Sequence, residues 1–274
     1  MKLVRTLLDF YLVSSLHVAV SCAALVGITY HMFGLPIDFY VVFFVFFGTI
    51  VGYNFVKYDA LVRASRLPVR MKMRGIIVLS ALCLLGAGYC FFNLQPVSQI
   101  ISVVILVFTL LYTLPFFPNK KNARNWAGIK IYIVSLCWVG VTVVLPIINA
   151  EIPITNDFFI KCIQRFILVF VLILIFEIVD LKNDDPHLQT VPQLLGIRKT
   201  KLLGVLLLLP FYFLELLRST IDPNQLVVNA IMVFGLVGLL LFSSIQRSKY
   251  YSSLWVESVP VFWLLMTLFL HPYK

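Results

Sequence analysis

Long uninterrupted apolar runs constrain the fold of this chain more than any other feature of its sequence. Nine runs can be separated, at about residues 8–32, 38–57, 75–93, 97–117, 127–148, 158–180, 202–219, 225–246 and 250–271. Each is too long for a strand and lacks the alternation of polar and apolar residues that strands show. Roughly 20 apolar residues in a helix cross a bilayer, and helices satisfy their backbone polar groups there. The sequence therefore predicts an all-α membrane bundle of nine transmembrane helices.

The composition agrees with a membrane protein and excludes several soluble classes. Of the 274 residues, 61% are hydrophobic and 12% are charged, whereas soluble domains are about 45–50% apolar and about 25% charged. So few polar residues cannot cover the surface of a water-soluble enzyme. The same apolar composition also excludes a disordered chain. The five cysteines lie in apolar runs without metal-ligand spacing, which favours packing roles over a disulfide scaffold. We expect residues 1–274 to form a single integral-membrane domain.

The distribution of basic residues predicts how the chain is oriented in the membrane. The formal net charge is +10. Most bases fall in alternate connections, in segments 2–5, 57–74, 120–130, 182–201 and 247–249. The positive-inside rule then predicts a cytoplasmic N-terminus and an external C-terminus, in an inner or plasma membrane, which requires an odd number of spans. Because the bases are spread over several loops and not over one soluble face, we expect no nucleic-acid partner.

The strongest candidate site is the acidic sequence Glu177-x-x-Asp180-x-x-x-Asp184-Asp185, which ends the sixth run. Spacings of three and four place the first three carboxylates on one face of a helix. Carboxylates grouped near a membrane repel each other, which favours a bound cation, and oxygen ligands suit Mg²⁺ or Ca²⁺. Mg²⁺ is commonly bound by one or two carboxylates together with substrate phosphates, so a diphosphate is a natural partner. The alternative, which we favour for Asp185, is a solvated helix end whose acids pair with nearby bases.

The segment that follows the acids adds a resemblance to a known family. Residues 189–196 have the sequence QTVPQLLG. Together with the acids, this segment resembles the UbiA family of intramembrane prenyltransferases, in which a DxxxD box runs into a loop of the form T-[LIV]-P-x-L-L-G. Residues 112–130, between the fourth and fifth helices, and Arg165 in the sixth helix are also similar to that family. Nine helices with a cytoplasmic N-terminus is the architecture that the resemblance implies.

The first acidic box of that family, N-D-x-x-D-x-x-x-D, is largely missing from this chain. The corresponding residues 54–62 have the sequence NFVKYDALV, in which Asn54 is retained and Lys57 adds a positive charge. The residues at the three aspartate positions are Phe55, Tyr58 and Val62. Asp59 comes one residue late, and a shift of one residue turns a side chain by about 100° around a helix. The first metal site is therefore expected to be weakened or absent.

The resemblance implies a transferase that moves an isoprenyl group from a polyprenyl diphosphate to an acceptor, usually an electron-rich aromatic ring. Asp180 and Asp184 would be the catalytic residues, with Mg²⁺ as the cofactor. The implied metal ligands are Glu177, Asp180, Asp184 and Asp59. The residues implied to bind substrate are Asn54, Arg63, Tyr112, Lys120, Lys121, Lys130 and Arg165. The other partner is the lipid bilayer, among whose chains the apolar tail would lie.

Other functions and roles stay open at this point. A chain of the same fold that has lost transfer could bind an isoprenoid lipid or stabilise a partner, which the degraded first box favours. A small transporter is disfavoured because no inverted repeat is visible. Two polar residues inside predicted spans also have alternatives. His17 either packs by hydrogen bonding or lines a cavity, and Glu257 either pairs with Arg247 or Lys249 or belongs to a site.

Overall fold

The computed structural model describes residues 2–64, 71–113, 128–184 and 188–270, and the regular structure in these ranges is helical. In chain order the helices are α1 (Lys2–Val13), α2 (Leu16–Met32), α3 (Phe39–Ala64), α4 (Met71–Phe91), α5 (Pro96–Thr113), α6 (Ile129–Val139), α7 (Leu145–Asn149), α8 (Asn156–Asp180), α9 (Val191–Leu195), α10 (Ile197–Phe213), α11 (Pro223–Phe242) and α12 (Val259–Leu270). A π-helical turn at Gly140–Val144 joins α6 to α7, and another at Tyr251–Val256 leads towards α12. The prediction of an all-α protein is confirmed.

Seven helical segments in the described ranges are long and apolar enough to cross a membrane. They are Phe39–Tyr58, Met73–Phe91, Ile129–Asn149, Asn156–Asp180, Ile197–Leu217, Pro223–Phe242 and Tyr251–Leu270. An eighth would combine Val4–Val13 with Leu16–Met32, which are bent by 60° at their break. The apolar part of α5, Pro96–Leu111, is shorter than these segments. A multi-pass helical bundle is thus confirmed, whereas the count of nine spans stays a prediction.

The first apolar run differs most from its prediction. It was expected to form one helix over 8–32, but the chain is helical from Lys2 and breaks at Ser14 and Ser15. Ser15 has a φ of 64°, in the left-handed region that non-glycine residues rarely adopt. The break therefore separates a short helix, α1, from α2, most of whose residues are buried in the bundle.

Helix packing follows a closed cycle of contacts. The cycle runs through α2, α3, α5, α6, α8, α10, α11 and α12, and α12 packs back on α2. α4 packs on α3. Lipid chains are as apolar as the side chains, so the hydrophobic effect does not drive such helices together in a membrane. Close packing between the helices is therefore what stabilises the bundle. At Gly204 of α10 an added Cβ would lie 2.5 Å from Cδ2 of Leu240 on α11, so a larger residue would displace the Leu240 side chain.

A buried polar network joins α8, α10 and α11 at the end of the bundle where α8 begins. Lys161 of α8 pairs with Glu215, which follows α10, with 2.6 Å between Nζ and Oε2. The same carboxylate oxygen accepts hydrogen bonds from Gln164 at 3.0 Å and from Asn229 at 2.9 Å. Arg218 completes the network 3.2 Å from Glu215. The sequence did not predict this network, which satisfies charges that would otherwise be costly in a membrane.

Candidate functional site

The structure brings the three acids of the candidate site together where α8 ends. Glu177 and Asp180 lie in the last turn of α8, and the backbone N–H of Asp184 donates to the Asp180 carbonyl oxygen at 3.0 Å. Asp184 is close enough to interact electrostatically with both Glu177 and Asp180. We call these three residues the acidic stripe. We call the end of the bundle that carries it the basic end, because lysines from two other elements lie near the stripe.

Glu177 also holds the segment that follows the stripe. Its side chain is buried, and its Oε2 accepts a hydrogen bond from the backbone N–H of Val191 at 3.1 Å. Val191 begins the short helix α9, where the side chain of Gln193 accepts a hydrogen bond from the Thr190 N–H at 2.9 Å. Glu177 therefore packs the Thr-Val-Pro segment, which carries much of the family resemblance, against the acidic stripe. The sequence did not predict this tie.

Asp184 has a carboxylate oxygen whose environment favours a cation. Its Oδ2 is buried and accepts no hydrogen bond within the described part of the structure. Among the carboxylates that the structure describes, this is the only buried oxygen in that state. Leaving a buried acceptor unsatisfied costs about 1–3 kcal/mol, and more if the group is charged. A cation beside Asp184 would remove that cost.

The stripe suits a metal ion that is bound together with a ligand. Within the described ranges, no group of three or more histidine, cysteine, aspartate or glutamate side chains is arranged to hold a metal. Asp180 and Asp184 could supply two carboxylates, and Mg²⁺ commonly takes one or two carboxylates with phosphate oxygens and water in the other positions. The donor set therefore fits Mg²⁺ shared with a diphosphate.

Two lysines from other elements interact electrostatically with the stripe, and a third lies near one of them. Lys130, in the first turn of α6, interacts electrostatically with Glu177 and Asp180. Lys249, just before the π-helical turn at Tyr251–Val256, interacts with Asp180. Lys57 of α3 is in electrostatic range of both Lys249 and Glu257. Sequence analysis proposed Lys130 but missed Lys249, which only the packing of distant segments brings to the stripe.

The stretch at the position of the missing first box is largely apolar. Phe55 and Tyr58 line a cavity of about 380 Å³ between α3 and α4, and none of the described side chains that line it is acidic. Asn54 is buried, and both of its side-chain polar atoms are engaged. Its Oδ1 accepts a hydrogen bond from Ser15 Oγ and its Nδ2 donates to Ser80 Oγ, each at 2.9 Å. Asn54, proposed above to bind substrate, thus ties α2, α3 and α4 together.

Two residues of this stretch form hydrogen bonds to the chain beside the helix break at Ser14 and Ser15. Lys57 Nζ and Tyr58 Oη both donate to the carbonyl oxygen of Val13, at 3.1 Å and 2.9 Å. Val13 is the last residue of α1. A second contact joins the Tyr250 hydroxyl to the Asp9 carboxylate. α1 is therefore fixed against the basic end of the bundle.

His17 takes a packing role near the same break. One ring nitrogen lies 2.9 Å from the Tyr11 hydroxyl, and the other lies 3.1 Å from the Leu254 carbonyl oxygen and 3.1 Å from Ser258 Oγ. Both nitrogens thus have partners, on α1 and on the segment that leads into α12. Of the two alternatives left open by the sequence, this geometry favours hydrogen-bonded packing.

Arg165 lies away from the stripe. It precedes Glu177 by 12 residues on α8, which is about 18 Å along a helix. Its side chain is buried, donates to the Leu25 carbonyl oxygen at 3.1 Å, and lies over the ring of Trp263 with 5.5 Å to the centroid. No carboxylate in the described ranges forms an ion pair with it. Arg165 is therefore not part of the same cluster as the aspartates.

Five of the proposed site residues cannot be placed relative to this cluster. The side chains of Asp59, Arg63 and Tyr112 lie outside the described part of the structure, as do residues Lys120 and Lys121. Their roles stay predictions.

Comparison with known proteins identifies the fold. No family model and no curated protein matches the sequence. The apo structure of a UbiA homolog from Aeropyrum pernix K1 is similar, with a TM-score of 0.62, 14% identity, and coverage of 94% of this chain and 97% of that one. A digeranylgeranylglyceryl phosphate synthase structure has a TM-score of 0.56 and 16% identity, and 97% of each chain is covered. This chain therefore has the fold of UbiA-family prenyltransferases, which confirms, at the level of the fold, the resemblance first drawn from its residues.

Proposed function

We propose that the protein is a UbiA-like prenyltransferase that moves an isoprenyl group from a polyprenyl diphosphate to an acceptor with an aromatic ring. The observation that carries the proposal is the buried Asp184 oxygen without a partner, next to Asp180. Lysines from two further segments face the same place. The fold of the two solved structures supports the reaction class.

In this reaction the bond between the first isoprenyl carbon and the diphosphate oxygen breaks, and the diphosphate leaves with the electron pair. A bond forms between that carbon and the acceptor ring, which then releases a proton to water. Negative charge develops on the leaving group, so positive groups held in position lower the barrier. Mg²⁺ would neutralise part of the diphosphate charge. Asp180 and Asp184 would hold that ion, and Lys130 would attract the diphosphate directly.

An aromatic pair lies one turn deeper than the lysine of α3. Trp138 Nε1 donates to the Tyr53 hydroxyl at 2.9 Å, and the two rings meet edge to face with centroids 6.3 Å apart. Ring faces attract positive charge, so this pair would shield an allylic cation from water.

We also propose that the N-terminus is cytoplasmic and the C-terminus external, which would place the basic end in the cytoplasm.

The proposal is tested by binding before turnover is measured. Purified protein is titrated with inorganic pyrophosphate in the presence and absence of Mg²⁺. We expect binding that requires Mg²⁺ and is lost in Asp180→Asn and Asp184→Asn. Glu151→Gln is the matched control, since Glu151 is an exposed acid remote from the stripe and should bind as the unchanged protein does. Absence of Mg²⁺-dependent binding in the unchanged protein would refute the proposal.

A second candidate is a protein of this fold that binds an isoprenoid lipid without transferring it. The apolar cavity lined by Phe55 and Tyr58 favours this alternative, because it lies where the family has carboxylates. This candidate predicts that a polyprenyl alcohol binds equally well with and without Mg²⁺, and that Asp184→Asn leaves the affinity unchanged. The transferase proposal predicts instead that a diphosphate binds only with Mg²⁺ and that Asp184→Asn abolishes this binding.

A further inference from the structure

The first helix, α1, has an apolar face that the rest of the bundle leaves uncovered. Val4, Leu7 and Leu8 follow the spacing i, i+3, i+4, which places them on one face of the helix. Val4 is 71% exposed and Leu7 is 61% exposed. Arg5 and Asp9 share the opposite face. The helix is therefore amphipathic, and part of its apolar face is open to the surroundings.

Contacts with three other elements hold α1 at the basic end of the bundle. The carbonyl oxygen of Val13 accepts hydrogen bonds from two side chains of α3. The Asp9 carboxylate accepts a hydrogen bond from Tyr250, in the segment that leads towards α12. The ring of Phe10 lies beside Gly75 near the start of α4, where an added Cβ would be 3.6 Å from it. These contacts place α1 at the end of the bundle and not at mid-height between the spans.

The lengths of α1 and α2 agree with a position at the membrane surface. α2 has 17 residues and rises by about 26 Å, which is most of the roughly 30 Å of a hydrocarbon core. α1 has 12 residues, too few to cross a bilayer, and it is bent by 60° away from α2. Because α1 continues directly into α2, the bilayer around the bundle lies within reach of its exposed apolar face.

Exposed arginines lie on α1 and on the part of α4 that contacts it. Arg5 belongs to α1, and Arg74 precedes Gly75, the residue beside the Phe10 ring. Within the described ranges, neither arginine forms an ion pair with a carboxylate. Arginines close to a membrane surface attract anionic lipid headgroups. This part of the protein thus combines exposed apolar side chains with unpaired positive charge.

We infer that α1 and the start of α4 form a surface that binds anionic phospholipid. Amphipathic helices with basic polar faces lie in the headgroup layer with their apolar faces towards the lipid chains. Val4 and Leu7 would then enter the layer of lipid chains, while Arg5 and Arg74 bind headgroup phosphates. Since α1 is fixed to three other elements, it would also set the depth at which the basic end meets the membrane surface.

The first experiment measures the depth of α1 in the membrane. The full chain is placed in phospholipid nanodiscs, and a spin label is attached to Leu7→Cys or to Arg5→Cys. The five native cysteines are buried or half-buried, and the unchanged protein treated in the same way gives their background signal. We expect the label at position 7 to collide mainly with oxygen, which dissolves in the lipid chains. The label at position 5 should collide mainly with a water-soluble nickel chelate.

The second experiment tests the lipid charge. Hydrogen exchange at the amides of residues 6–9 is compared in nanodiscs of phosphatidylcholine with and without phosphatidylglycerol. We expect exchange to be about fivefold slower with the anionic lipid. The double variant Arg5→Gln/Arg74→Gln should lose this difference. Arg198→Gln is the matched control, because Arg198 is an exposed arginine on α10, and it should keep the difference.

The outcomes are independent of the proposed reaction. If the nickel chelate reaches both labels equally, α1 lies in water, and if it reaches neither, α1 is half of a broken span inside the hydrocarbon. Either result would overturn the inference. Exchange that does not respond to phosphatidylglycerol, or that responds equally in the double variant, would show that anionic lipid is not the partner. Exchange in α8, measured in the same samples, reports whether each variant is folded.

Discussion

The ammonium group of Lys161 lies 2.6 Å from Oε2 of Glu215 in the interior of the bundle, and the exposures of the two side chains are 5% and 0%. The pair joins α8 to the turn after α10. The side-chain amides of Gln164 and Asn229 also donate hydrogen bonds to this carboxylate oxygen. Such a buried ion pair contributes little to stability compared with an apolar pair of the same shape. Removing either charge, however, leaves the other buried without its partner.

Lys161→Met should therefore destabilise the protein, because it leaves the Glu215 carboxylate buried with less compensation. Breaking one partner of a buried pair costs about 3–5 kcal/mol. The check is the midpoint of thermal unfolding in detergent, which should fall by several degrees. In the double variant Lys161→Met/Glu215→Gln much of the loss should be recovered. A double variant as unstable as the single one would contradict this account.

Asp184→Asn should stabilise the protein while removing its function. The substitution removes a negative charge from a group with a buried oxygen that has no partner. Removing the charge from such a buried group should raise the free energy of unfolding by on the order of 1 kcal/mol. Ligands that bind only the folded state raise the unfolding midpoint. We expect a higher midpoint in the absence of ligand and no further increase with Mg²⁺ and pyrophosphate. A lower midpoint in the absence of ligand would mean that Asp184 is a structural residue.

Glu177 can be tested for its tie to Val191 separately from its charge. In Glu177→Gln the amide oxygen can still accept the hydrogen bond from the Val191 N–H, whereas Glu177→Ala removes the acceptor. Hydrogen exchange at Val191 should stay slow in the first variant and become faster in the second. Equal exchange in both variants would show that the tie does not order the segment.

The contact between α10 and α11 gives a test of the packing. Gly204→Ala would place a Cβ 2.5 Å from Cδ2 of Leu240, so the Leu240 side chain must move within the packed contact. Overpacking of this kind costs about 1–3 kcal/mol. Gly235→Ala is the control, because a Cβ there meets nothing within 4 Å. The unfolding midpoint should fall for the first substitution and be unchanged or slightly higher for the second.

The helices and the acidic stripe could be predicted from the sequence because both depend on local spacing. Apolar runs of membrane length specify helices, and spacings of three and four bring Glu177, Asp180 and Asp184 together. The features that were missed depend on distant partners. Lys161 is 54 residues from Glu215, and Val13 is 44 and 45 residues from the side chains that bind its carbonyl oxygen.

Asn54 shows why a motif position does not by itself assign a role. The residue matches the family pattern, but its side chain is occupied by Ser15 and Ser80, which belong to other segments. The break at Ser14 and Ser15 was equally hidden, since it lies inside one long and mainly apolar run. Only the folded arrangement shows which polar groups lie next to each other.

The buried Arg165 has a consequence for how α2, α8 and α12 are held together. A guanidinium group keeps its proton under all ordinary conditions, so its positive potential is permanent. It lies buried on α8 between α2 and α12, with no ion-paired carboxylate in the described ranges. Its charge is met by the Leu25 carbonyl oxygen, the Thr29 hydroxyl and the ring of Trp263. One buried cation thus links three helices that are far apart in the sequence.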